Sequence, residues 1–549
     1  MEPRPTRTGM RLGLLLTPPF IAVMYGGRTI LGLPFSPFDL FEWLTRILPG
    51  RVVIVGIDAL VAVLTVFGVS LRAASKIAEQ TLALALFTLG GVVVAAIIAR
   101  TLATGRLRNR DPLAWAVAAA AGVGVVVAAV TAGVRQMGSG APPLPAAIWV
   151  VVTFGAWGFV FGRAWRALHP SSVPHRGTPI SLRESVDRVQ APPAVTVDDR
   201  DRRLFFIRLG GAAASITVVG AVLALAQRQT GTRRSGTANT PLPPRPGAVD
   251  PAPGTRSEYT PVVDHYRIDI NLFPPHIDGA AWTLPVTGLV DHPARLTLEG
   301  FEKGAYGRAH DRFITLSCIS NPVAGDLIGT TRWTGVSLRD VLAPLGVRAA
   351  ARYVTVRSAD GFHETVPLDL VAGDERIMLA YHWDGERLTA GHGFPLRLYI
   401  PDRYGMKQPK WITAIQVLDR YEAGYWVVRG WDETAQVLAT SVVDTVAVDD
   451  AYEKDGRRFV PIGGMAYAGA RGISKVEVRV DAGPWMEARL REPLSDLTWA
   501  LWRYDWAFQK GRHTFEVRCF DGEGRPQIAE DQGTYSRGAT GLHRLDKRV

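Results

Sequence analysis

The sequence predicts a multi-domain chain: an N-terminal α-helical membrane domain, a central globular domain and a C-terminal all-β sandwich of immunoglobulin type. Three observations carry this. Long apolar runs crowd the chain up to about residue 230. A stretch rich in Pro, Gly, Thr and Arg follows at 228–260. Beyond about residue 432 the pattern becomes short alternating strands between turn signals. The expected domains are therefore 1–227, 228–260 as a linker, 261–430 and 431–549. A chain of 549 residues has room for all of them.

Four runs, at 79–99, 112–134, 146–165 and 204–226, are long enough to span a bilayer. Residues 12–32 form a weaker candidate, interrupted by Pro18, Pro19, Gly26, Gly27 and Arg28. Residues 52–70 carry Asp58 in mid-run, which is costly against lipid. Flanking charge sets the topology. Arg100, Arg106, Arg108 and Arg110 precede the 112–134 run. The loop 166–203 carries Arg166, Arg176, Arg183, Arg188, Arg200, Arg202 and Arg203. Both loops belong inside, as does the N-terminus with Arg4, Arg7 and Arg11. An odd number of spans satisfies all three, and five are expected, with 52–70 at the interface or re-entering. Six spans with the N-terminus outside is the competing arrangement. Either way the last span delivers everything after it to the extracytoplasmic side. That span begins Asp201-Arg202-Arg203-Leu-Phe205-Phe206, which resembles a twin-arginine export signal placed internally. The first 230 residues hold only His169 and His175, both in one loop, so no intramembrane haem ligand pair is available.

The net charge is +11, but much of the basic surplus flanks apolar runs, so it reads as membrane orientation and not as a nucleic-acid footprint. Two cysteines, Cys318 and Cys519, exclude a disulfide framework and any Cys-rich zinc pattern. The linker, with its Thr240-Pro-Leu-Pro-Pro-Arg-Pro-Gly247 core, cannot bury apolar surface and reads as a tether or an extended wrap.

Chemistry concentrates in four segments. The first is Asp264-His-Tyr266-Arg267-Ile-Asp269. The second is Thr315-Leu-Ser-Cys318-Ile-Ser-Asn321, leading to Arg332 and Trp333. The third is Leu379-Ala-Tyr381-His-Trp-Asp-Gly385, continuing through Gly391-His392-Gly393-Phe-Pro395-Leu-Arg397. The fourth is Tyr404-Gly405-Met-Lys407-Gln-Pro-Lys410-Trp411. In this order they resemble the sulfite-oxidase-type molybdopterin oxidoreductases. The resemblance covers roughly 260–545 and implies an α+β molybdopterin domain. It also implies a molybdenum–molybdopterin cofactor whose single metal is ligated by Cys318. A soft thiolate suits such a metal, whereas a lone cysteine is otherwise a small buried hydrophobe.

By the same resemblance Tyr381 and Arg332 are catalytic candidates. Tyr266, Arg267, Asn321, Asp360, His392, Arg397, Tyr404, Lys407 and Lys410 are cofactor-binding candidates. The residue types fit: a terminal phosphate wants cations, and glycines let backbone approach a flat pterin. Each has an ordinary alternative, a solvated face for Lys407 and Lys410 and a satisfied core histidine for His392.

The strands Lys475–Val480 and His513–Arg518, with Trp499, Trp502 and Trp506, fit the family's immunoglobulin-like dimerisation domain, which implies a homodimer, a monomer being the alternative for a membrane-tethered member. The expected activity is two-electron oxygen-atom transfer on a small-molecule substrate, with a separate, unidentified electron-transfer partner. The alternatives are a sulfoxide reductase of the same fold and a cofactor-free binding or assembly module. A transporter role for the first half has only Asp58 to suggest it. The expected location is the cell membrane, multi-pass, with the catalytic domain outside.

Overall fold

A computed structural model describes residues 5–53, 55–56, 59, 63, 70–104, 111–139, 144–169, 206–211, 213–214, 217 and 248–549. The twin-arginine segment, Asp58, the basic loops at 105–110 and 170–205, His175, and most of the linker lie outside these residues. The chain divides into two compact units, each discontinuous: residues 1–47 with 78–235, and residues 48–77 with 236–549.

The first unit is helical. Its elements are α1 (Pro5–Leu31), α2 (Ser36–Ile47), α3 (Leu71–Ala103, which begins in the second unit), α4 (Pro112–Ser139) and α5 (Leu144–Leu168). Among the described residues four helices are long and apolar enough to cross a membrane: Pro5–Leu31, Ser75–Ala103, Pro112–Val134 and Leu144–Leu168. The first runs unbroken through Pro18 and Pro19, which the sequence reading treats as interruptions. A proline in a packed membrane helix costs less than in water-exposed helix because neighbouring helices support the freed carbonyls.

Packing in this unit depends on small residues. A side chain at Gly158 would meet Ala116 O at 2.5 Å, and one at Gly9 would meet Ala95 O at 2.7 Å. Gly158 and Gly162 on α5, and Gly9 and Gly13 on α1, are each four apart and so stack on one face, which lets α5 approach α4 and α1 approach α3. Leu12, Leu16, Ile98, Ala116, Phe161 and Trp165 fill the space between.

The second unit holds two sheets before residue 420. The first joins β1 (Thr283–Gly288), β2 (Ala294–Thr297), β5 (Tyr353–Ser358), β6 (His363–Pro367) and β10 (Ile412–Leu418) in the order β2-β1-β10-β5-β6. Only β1 and β10 pair in parallel. The second sheet contains β3 (Ala309–Ser317), β4 (Ile328–Ser337), β7 (Met378–Trp383), β8 (Glu386–Arg387) and β9 (Arg397–Tyr399), with β4 between β3 and β7. Short helices α6 (Leu298–Glu302), α7 (Leu338–Leu342) and α8 (Leu368–Gly373) accompany these strands.

Side chains alternate across a strand, so the second sheet feeds two cores. Leu379, Tyr381 and Leu398 join Phe301 and the first sheet's Val354, Val356 and Ile415. Met378, Ala380 and Tyr399 turn the other way and pack with Ile314, Leu316, Trp333, Tyr266 and Cys318. The second of these cores positions the site.

The C-terminal strands are β11 (Thr440–Val446), β12 (Tyr452–Lys454), β13 (Arg457–Tyr467), β14 (Ile473–Val480), β15 (Met486–Leu490), β16 (Ala500–Ala507), β17 (Arg512–Asp521) and β18 (His543–Arg548). They follow the path β11-β13-β16-β15-β14-β17-β18, with β12 on β13. The shared strand β15 joins two halves, which meet over Val460, Ile462, Val478, Trp502, Phe515 and Cys519. A third core, with Ile319, Tyr404 and Met406 against Val442, Met465 and Trp499, ties this β domain to the preceding one. The described end of the linker is a wrap: the Arg256 guanidinium binds Asp444 on β11 at 2.6 Å, and Thr260 N–H donates to Thr330 O at 2.7 Å.

Candidate active site around Cys318

β3 ends at Ser317 and the chain turns through 318–327 into β4. Three bonds close this loop. Cys318 N–H donates to Leu327 O at 2.9 Å, Asn321 N–H to Cys318 O at 3.1 Å, and Leu327 N–H to Asn321 Oδ1 at 2.9 Å. Asn321 therefore fastens the loop with its own side chain. Cys318 Sγ lies 3.1 Å from Ser320 Oγ and is buried with Leu316, Tyr266 and Trp333. Burial pushes the thiol up, against the opposing pull of Ser320 and the backbone of Ile319 and Ser320. A thiol so placed is a poor free nucleophile, and a soft metal beside it would favour the thiolate.

Beside it stands a buried concentration of positive charge. Arg397, only 3 % exposed, lies over Trp333 at 4.5 Å and Trp383 at 5.0 Å. One of its nitrogens, Nη1, donates to His392 O at 3.0 Å, while Nε has no partner. Among the described residues no carboxylate lies within ion-pair distance of it. Burial pulls its guanidinium down to about 9. His392 is held well below its ordinary value, by burial first and then by His265, Lys410, Arg397 and Arg267, and so is neutral. Its ring lies 5.7 Å from His265 and 4.8 Å from Trp383. Tyr266 stacks on His265 at 5.1 Å, and burial drives its phenol well above the usual range, leaving an intact O–H donor.

Next to these, Asp269 collects three cations: Arg267 Nε at 2.7 Å, Lys410 Nζ at 3.2 Å and Lys76 Nζ at 3.3 Å. Burial alone would raise its carboxyl, but Lys76, Lys410 and Arg267 hold it far below the carboxylate range. Lys410 also donates to Ile268 O at 3.1 Å, and burial, opposed by Asp269, pulls it down to about 8. Asp360, buried and accepting from Phe362 N–H at 3.0 Å, faces Lys410 electrostatically.

Three cations, Arg267, Lys410 and Lys76, thus share Asp269, Asp360 adds a more distant negative charge for Lys410, and Arg397 stands nearby with no carboxylate of its own among the described residues. Buried charge without a partner costs several kcal/mol, so this place is built for an anionic group. The indole N–H groups of Trp333 and Trp383, buried and without partners, are further donors for it. Gly393, at φ 111°, supplies the close approach, since a side chain there would meet Arg397 and Lys410 at 3.2 Å.

Other expected site residues are placed elsewhere. Tyr381 lies on the opposite face of β7, 6.2 Å from Phe301, in the core that excludes Cys318. Arg332 precedes Trp333 in β4, so its side chain leaves the face on which Arg397 sits; its backbone pairs with Asp384. Lys407 is spent on Glu364, at 2.6 Å and buried. Tyr404 Oη accepts from Leu438 N–H at 3.0 Å, toward the C-terminal domain.

Sequence reasoning passed over His265, Asp269, Trp333 and Trp383 as site residues, although all stand inside the segments it singled out. It also missed Tyr467 of β13, whose hydroxyl donates to Thr315 O at 2.9 Å and braces β3 just before the cysteine. Lys76 has no local signal at all.

A family described as "Oxidoreductase molybdopterin binding domain" matches residues 271–426. An oxidoreductase of Bacillus subtilis, YuiH, is 34 % identical over 158 residues, which are 29 % of this chain and 76 % of that protein. Mouse mitochondrial sulfite oxidase is 28 % identical over 275 residues, covering 40 % of this chain and half of the mouse protein. An Azospira oryzae protein named as a protein-methionine-sulfoxide reductase subunit, YedZ1, is 31 % identical over 156 residues, 28 % of this chain and 56 % of that one. The soft sulfur at Cys318, the surplus of buried cations and the unpartnered donors all suit a metal-bearing pterin with an anionic end. The chain belongs to the molybdopterin-dependent oxidoreductases of the sulfite oxidase family, and its cofactor is molybdenum held by molybdopterin.

Proposed function

We propose that this enzyme is anchored in the cell membrane, faces outward, and uses the Cys318 thiolate as the protein ligand of a single molybdenum. The observation that carries the reading is the buried Cys318 cluster with an unpaired Arg397 beside it. When bound, the cofactor supplies two-electron oxygen-atom transfer. The chain's own residues do the rest. The 318–327 loop fixes the thiolate. Arg397, Arg267 and Lys410 hold the anionic end. Trp333 and Trp383 flank the guanidinium and exclude water, Tyr266 keeps a proton to donate, and neutral His392 offers a ring nitrogen. Asp360 steadies Lys410.

Connectivity supports five spans. The chain leaves the catalytic unit at residue 77 and re-enters it at 236, which supports an even number of crossings between if the whole unit lies on one side. Three helices and the apolar run 204–226 make four such crossings, and α1 adds one that puts the basic N-terminus inside. The Arg202-Arg203 run is read as the export signal for a catalytic unit that folds around its cofactor first. The C-terminal β domain is read as immunoglobulin-like, supported by the two half-sheets packed on Trp502 and Trp506, with homodimerisation as the corollary of the resemblance.

A second reading, sulfoxide reduction, is favoured by one observation. A sulfite site calls for arginines converging on an oxyanion, and Arg332 and Arg397 leave β4 and β9 on different faces of the sheet. The test is metal and pterin analysis of the purified full chain, followed by parallel assays of sulfite oxidation and of methionine-sulfoxide reduction with an artificial electron donor. About one molybdenum per chain is expected for a mononuclear site. A folded chain with neither metal nor pterin would leave the binding-module alternative.

A further inference from the structure

Lys76 comes from a part of the sequence that no pattern connects to the cofactor. It lies in the first turns of α3, in the short piece of the catalytic unit that precedes most of the membrane domain. Its Nζ donates to Asp269 O at 2.8 Å and Asn271 O at 3.1 Å, and stands 3.3 Å from Asp269 Oδ1. Six residues earlier, the Ser70 hydroxyl donates to the carboxylate of Asp326, within the loop that presents Cys318. Residues 70–76 therefore run from the cysteine loop to the cationic cluster, and touch both walls of the site.

The charge balance shows what Lys76 contributes. Asp269 is the one carboxylate in ion-pair contact with Arg267 and with Lys410 among the described residues. With those two partners alone, its charge would cancel half of theirs and draw both toward it. Lys76 takes up that carboxylate from another side, and two carbonyls hold its ammonium in place.

We propose that residues 70–76 are a strap across the cofactor site, and that Lys76 is a positioning residue. By occupying Asp269 it keeps the positive charge of Arg267 and Lys410 available for the anionic end of the cofactor. This rests on the reading of the site given above. It makes the segment leading into a membrane helix part of the cofactor's binding site, and it makes cofactor retention depend on that segment.

The test uses the full chain in detergent, made in a host that synthesises the cofactor, with molybdenum and pterin per chain measured at once and during prolonged incubation. Lys76→Met should lose cofactor about tenfold faster than wild type or more, the scale of a charged hydrogen bond, and Lys76→Arg should restore retention. In an Asp269→Asn background, where no carboxylate needs neutralising, Lys76→Met should have no further effect. That pair also serves if the single variant fails to fold. Equal retention by Lys76→Met and wild type overturns the proposal. So does equal loss by Lys76→Met and Lys76→Arg, or a full effect of Lys76→Met in the Asp269→Asn background, which would mean that the lysine acts on the cofactor directly. A wild-type chain carrying no molybdenum sinks the underlying site reading instead, and the strap with it.

Discussion

Lys407 and Lys410 stand three residues apart, both buried, and do opposite things. Lys407 meets one carboxylate, Glu364, at 2.6 Å, and that account closes one to one. Lys410 shares Asp269 with Arg267 and Lys76, and that account is left positive. A balanced buried pair holds a fold together, whereas an unbalanced cluster waits for a ligand. The difference is what supports reading Lys407 as structural and Lys410 as cofactor-binding, where sequence shows only two lysines in one basic segment.

The comparison can be broken most forcefully at Lys407. Replacing it by Met strands Glu364, whose carboxyl burial already pushes up against the pull of Lys407. A loss of about 3–5 kcal/mol is expected, read as a lower unfolding midpoint of the full chain, with cofactor per folded chain unchanged. A drop in cofactor without a drop in stability would put Lys407 in the binding set after all.

Lys410→Met or Arg397→Met should do the reverse. Each removes about 1.5–3 kcal/mol of cofactor binding, seen as faster loss of molybdenum. The cofactor-free chain should unfold no earlier than wild type, because Asp269 keeps Arg267 and Lys76 when Lys410 goes, and Arg397 leaves no carboxylate stranded among the described residues.

The double variant Glu364→Gln/Lys407→Met sharpens the first result. Removing both charges should recover most of what the single variant loses, to within about 1 kcal/mol of wild type. Failure to recover would mean that Lys407 matters for more than Glu364.

The smallest effect belongs to an exposed pair. Glu302 is held below its ordinary 4.5, first by the Arg387 hydrogen bond and then, against burial, by His382. Because the folded value is depressed, its stabilisation is complete above 4.5 and is lost as the pH falls through the lowered value. Arg387→Ala should cost under about 1 kcal/mol and flatten acid sensitivity in that window, measured by unfolding at a series of pH values.

Much of the site was legible because its segments are local: the Cys318 loop, the His392–Arg397 run and the Lys410 segment each keep their chemistry within a few residues. The face on which a strand residue ends was not legible. Period two places Tyr381 with Leu379 and apart from Ala380, but nothing local says which face meets Cys318. The pairing of Lys407 was not legible because its partner lies 43 residues upstream. Pro18 and Pro19 read as breaks because their support comes from other helices, not from their own sequence. Gly9 with Gly13 and Gly158 with Gly162 show in sequence only as four-residue spacings, and which helix each pair admits is set by the fold. Lys76 is separated from Asp269 by 193 residues, with the whole of the intervening helical unit between them in sequence, so only the folded unit could reveal it.

The division of the catalytic unit into residues 48–77 and 236–549 imposes a timetable. The first piece is made long before the second and, if the proposed topology holds, would cross the membrane with the segment that precedes α3. Under the export reading, the second piece crosses late, already folded around its cofactor. The two can meet only after both have arrived. On that reading maturation would end with Lys76 closing on a loaded pocket, and the cofactor would be sealed in by an encounter outside the compartment where it was inserted.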